Sequence, residues 1–108
     1  MNQSSFLQMY RKIKNKELEN GKYLTPEGVS GSRKFSGFTD LDGLILLSDL
    51  IKEDSKKEKI VSKAFYDTLF FNVSTKDLHN NISEYDIHDL IALGIFYDES
   101  KDLFFKYL

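Results

Sequence analysis

No cysteine and no tryptophan occur among the 108 residues, and proline occurs once. The missing thiols exclude a disulfide framework, a thiolate metal site and a cysteine nucleophile together, and they fit a reducing, cytoplasmic setting. Long apolar runs are also missing. None exceeds four residues, as in Leu44-Ile45-Leu46-Leu47, far short of a membrane span. Met1 to Tyr10 carries no apolar stretch followed by small residues, so it does not read as a secretory signal. What remains is 41% hydrophobic and 30% charged with a net charge of −2, the balance of a globular domain rather than a disordered or membrane chain. Nine Phe and six Tyr supply the bulk for one core, and the length suits a single domain over 1–108.

The charge is unevenly spread. Residues 1–37 hold seven Lys/Arg against three Glu, a net +4, whereas the remainder holds eight Lys against fourteen Asp/Glu, a net −6. Opposite charges at the two ends of a small chain would steer different partners.

Periodicity places a first helix over about 4–19, with Phe6, Met9, Tyr10 and Ile13 on one face. Residues 20–38 hold four glycines and the only proline, and read as a loop with a short extended piece near Arg33. Thr39 or Asp40 opens a second helix to about Glu53, apolar enough all round to be central; a strand at 43–47 is the alternative. A third helix is expected over about 57–72, a short helical turn over 75–80, and a helix over 84–93 capped by Ser83 and stopped by Gly94. Ile95-Phe96-Tyr97 and Leu103 to Leu108 flank a polar turn and read as a hairpin. The expected architecture is a mainly helical α+β domain of four to five short helices with a C-terminal β-hairpin.

In its order of elements the second half, residues 57–108, resembles a winged helix-turn-helix, with Glu84 to Leu93 as the second motif helix and the hairpin as wing. That resemblance implies a nucleic-acid-binding regulator. The helix face opposite Ile87, Leu90 and Ile91 presents Tyr85, His88, Asp89 and Ala92, none of which is the Arg, Lys, Asn or Gln that meets base edges. Residues 75–108 also carry a net −4, which repels phosphate. The basic N-terminal third, with Arg11, Lys12, Lys14, Arg33 and Lys34, is the alternative nucleic-acid surface.

Catalytic and metal motifs fail on spacing. Gly28 to Lys34 lacks the Walker A pattern, and Ser32 stands where a nucleophile elbow around Ser30 needs glycine. Aligning Gly43 with the invariant glycine of a calcium loop puts Phe38 at the first ligand position. His79 and His88 have no metal spacing, and no nucleophile accompanies them. Two features point to a binding surface instead. Tyr66 and Phe70 lie at i and i+4 on the wet side of the expected third helix, and Glu84, Asp86, Asp89, Asp98, Glu99 and Asp102 concentrate negative charge. The expectation is a non-enzymatic, cofactor-free protein-binding module without metal: an inhibitor of immunity-protein, antitoxin or phage type acting through these residues on a basic partner such as a nuclease.

Overall fold

A computed structural model of the protein describes residues 1–19, 39–56 and 58–108. Within them lie three α-helices, α1 (Gln3–Glu19), α2 (Thr39–Asp49) and α3 (Glu84–Ala92), and four strands, β1 (Val61–Phe65), β2 (Thr68–Phe71), β3 (Phe96–Asp98) and β4 (Leu103–Tyr107). The strands form one antiparallel sheet in the order β1-β2-β4-β3. No helix among the described residues is long and apolar enough to cross a membrane.

This corrects the expected count of four to five helices. Of the expected third helix over 57–72, the described residues 58–72 are not a helix but lead into and form the β1–β2 hairpin, with Phe65 paired to Thr68 across Tyr66-Asp67. Helical spacing of Ile60, Val61, Ala64 and Leu69 misled because a short apolar run satisfies more than one period. What decides is nonlocal: β2 is rich in β-favouring side chains and finds β4, pairing Phe70 with Phe105 and Leu69 with Lys106. Residues 75–80 shrink to one 3-10 turn, Thr75–Asp77, fixed by a capping box between Ser74 and Asp77. With the expected third helix replaced by a hairpin and the 75–80 helix by a single 3-10 turn, both helices that should precede Glu84 are missing, so the winged-helix reading falls. The glycine-rich loop, including Arg33 and Lys34, lies outside the described residues.

The core forms where the inner face of the sheet meets the helices. Phe6 of α1 is fully buried and packs edge-on to Tyr97 and Phe104, at ring-centroid distances of 4.9 and 5.4 Å. Leu46, Leu47, Leu50, Leu78, Ile87, Leu90 and Ile95 complete it. Each such side chain contributes roughly 2 kcal/mol by burial. α2 is less central than its composition suggested, because Leu41 and Ile45 remain exposed while Leu46 and Leu47 are buried. Gly43 explains its close approach to the chain leaving α3: a Cβ there would sit 3.0 Å from Ile95 Cγ1 and 3.1 Å from the Leu93 carbonyl oxygen. Ser83 caps α3 in a reciprocal box with Asp86, and Gly94 ends the turn with a φ of 84°.

Candidate interaction surface

The six acids singled out for binding are distributed among structural tasks. Asp86 Oδ2 accepts from the Ser83 amide at 2.9 Å and so belongs to the α3 cap. Asp89, which its position on the helix suggested was solvent-facing, is 1% exposed and lies 3.3 Å from His88 Nδ1. Asp102, at a φ of 51°, accepts from the Thr75 amide (3.2 Å), the Thr75 hydroxyl (2.9 Å) and the Tyr97 hydroxyl (2.6 Å). Burial, followed by the hydrogen bond to Asp102, holds the Tyr97 phenol well above its ordinary pKa. Asp98 Oδ1 gathers the Ser100 amide and hydroxyl and the Lys101 amide into the turn. The Ser100 hydroxyl is the main cause of its lowered pKa.

Glu84 and Glu99 meet the basic end of the chain. Lys12 Nζ lies 2.8 Å from Glu84, and Arg11 Nη2 lies 2.6 Å from Glu99. Lys14 Nζ stands 4.7 Å above the Phe96 ring. Packing α1 against α3 and the β3–β4 hairpin thus brings the positive and negative ends of the sequence into contact with each other. Two of the cations and two of the acids expected to face different partners face one another instead.

The aromatic pair is separated by the change of fold. Phe70 is only 8% exposed on the outer face of the sheet, with Lys63 Nζ 5.4 Å and Lys101 Nζ 5.0 Å from its ring and Phe105 packed beside it. Alternation along the strands puts Phe96, Phe105 and Tyr107 on this same face. Tyr66 instead occupies the tip of the β1–β2 hairpin, 89% exposed, at a φ of 55°. Its ring meets Phe65, 60% exposed, at a centroid distance of 4.5 Å. All five residues of β1 are exposed.

Phe65, Lys63 and β1 itself were missed from the sequence. The available signal was the dipeptide Tyr66-Asp67 ahead of the β-favouring run Thr68 to Phe71, a hairpin pattern without the usual glycine. A small open cleft also lies between the end of α2 and the base of this hairpin, bordered by Ser48, Ile51, Lys56, Lys59, Asn72 and Asp77. Among the described residues no group of three or more His, Asp or Glu is placed to hold a metal ion. Comparison with protein-family models, with curated proteins and with solved structures found no match.

Proposed function

We propose that the protein is a non-enzymatic protein-binding module whose contact element is the β1–β2 hairpin, with Phe65 and Tyr66 as its anchors. The observation that carries this is Tyr66: a bulky side chain held at a φ of 55° with 89% of its surface in water. A left-handed backbone costs an L-residue about 1 kcal/mol, and an exposed ring returns little of that through burial. Tyrosine at such a tip is a suitable anchor for a partner's pocket. An inhibitory role of the immunity-protein or antitoxin kind belongs to the same proposal, since a small domain can block a surface by occupying it. A basic partner drawn by the acidic half has less support, because Asp86, Asp98 and Asp102 hold a cap or a turn, Asp89 is buried beside His88, and Glu84 and Glu99 are paired with Lys12 and Arg11. Those pairs also weaken the nucleic-acid alternative through the N-terminal third.

The test is affinity capture from host lysate, with nuclease treatment, comparing wild type with Tyr66→Gly and Phe65→Ser. Both variants are expected to lose the captured protein, while Tyr66→Gly unfolds at the same or higher denaturant concentration. Recovery of the same protein at wild-type level by both variants, or capture abolished by nuclease, would overturn the proposal.

A further inference from the structure

The sheet has two edges, and they are finished differently. On β3 the Tyr97 amide donates to the Tyr10 hydroxyl of α1 at 3.2 Å, and Gln3 Nε2 reaches the Glu99 carbonyl at 3.2 Å, so the edge is closed. β1 forms the other edge. Among the described residues no hydrogen bond reaches its outward side. Phe65 and Thr68 close a two-residue loop, which makes them a hydrogen-bonded pair; antiparallel alternation then turns the amide and carbonyl of Ala64 away from β2. An outward amide and carbonyl on an extended backbone are complementary to one kind of ligand, another extended strand.

We infer that β1 accepts an added strand from a partner protein, and that this strand carries an acidic residue opposite Lys63 and an apolar one opposite Phe65. The inference rests on the protein-binding reading above and names the form its partner takes. Charge selects the partner. Lys63 stands on the outer face of β1 itself, so a strand laid beside β1 sets one of its residues directly opposite this cation. A second copy paired through the middle of β1 would set Lys63 against Lys63, and like charges directly opposite disfavour pairing. The irregularity between Val61 and Lys63 works in the same direction, because a bulge on an edge discourages indiscriminate pairing.

The probe is a capped peptide, Thr-Val-Thr-Asp-Thr-Val-Thr, whose Asp and Val side chains share one face, titrated into isotope-labelled protein and followed by amide NMR, with Lys replacing Asp in a control peptide. The Asp peptide is expected to shift the Ala64 amide and its neighbours and to bind more tightly than the Lys peptide. Ala64→Pro removes an amide that makes no bond to β2, so the hairpin survives while Asp-peptide binding weakens roughly tenfold. Lys63→Glu leaves the backbone untouched and should invert the preference between the two peptides. Absence of binding by the Asp peptide, equal binding to Ala64→Pro, or an unchanged preference in Lys63→Glu would overturn the inference. The two proposals fail separately. If Tyr66→Gly and Phe65→Ser lose the captured partner while Ala64→Pro retains it, the hairpin is the contact element but no strand is added. If the aromatic variants retain the partner, the protein-binding reading itself fails.

Discussion

The β3–β4 hairpin and the β1–β2 hairpin share one sheet and differ in almost every attachment. The turn of the first is tied down by Asp98 to its own amides and by Asp102 to Thr75 and Tyr97, and α1 covers its edge through Tyr10 and Gln3. Among the described residues the second shows no comparable network: its tip is two aromatic side chains in water and its outer strand is exposed throughout. One hairpin puts its polar and aromatic groups to use in stability. Each hairpin holds one residue at a left-handed φ, Asp102 or Tyr66, but only the second leaves two rings unburied at that point. The difference teaches where to look for function in a domain where the acids singled out from sequence serve caps, turns and ion pairs.

Breaking the anchored hairpin should have the largest effect. Asp102→Ala strands three donors and leaves a residue without a polar side chain at a left-handed φ, so a loss of about 3 kcal/mol is expected in urea denaturation. Ser62→Ala in the open strand should stay within about 0.5 kcal/mol of wild type. Equal costs would erase the contrast. Tyr66→Gly sharpens it further, with an expected gain of up to about 1 kcal/mol from relief of the positive φ.

The smallest effect concerns acid. Asp98 has a folded-state pKa below its ordinary value, chiefly through the Ser100 hydroxyl. Its contribution is therefore complete above the ordinary carboxylate pKa and is lost as pH falls through the lowered folded value. Asp98→Asn keeps an oxygen acceptor and cannot titrate, so the acid limb of stability against pH should be shallower in that variant. An identical acid limb would show that the turn does not draw on the ionised carboxylate.

Much of the anchored half was legible in the sequence. Alternation in Leu103 to Tyr107, the Ser83 cap and Gly94 are local signals, and the fold uses each as local rules suggest. Residues 57–72 were not legible in the same way, because the choice of strand over helix depends on Phe70 finding Phe105 thirty-five residues later. The candidate site was read in part. Tyr66 was singled out for its exposure on a helix that does not exist, and it is exposed on a hairpin tip instead. The acids were misjudged because sequence shows charge but not the hydrogen-bond donors that folding sets around it, as at Asp89 and Asp102.

Amide hydrogen exchange on the native protein tests the contrast most directly. Within β1, Lys63 and Phe65 point their amides to β2 and should be protected, while Ala64 between them points outward and should exchange close to the rate of an unstructured peptide. Tyr97, an edge amide on the opposite side, should be protected by its bond to Tyr10. Slow exchange at Ala64 would mean that the β1 edge is already closed, and fast exchange at Tyr97 would mean that the β3 edge is not; either result would contradict the account.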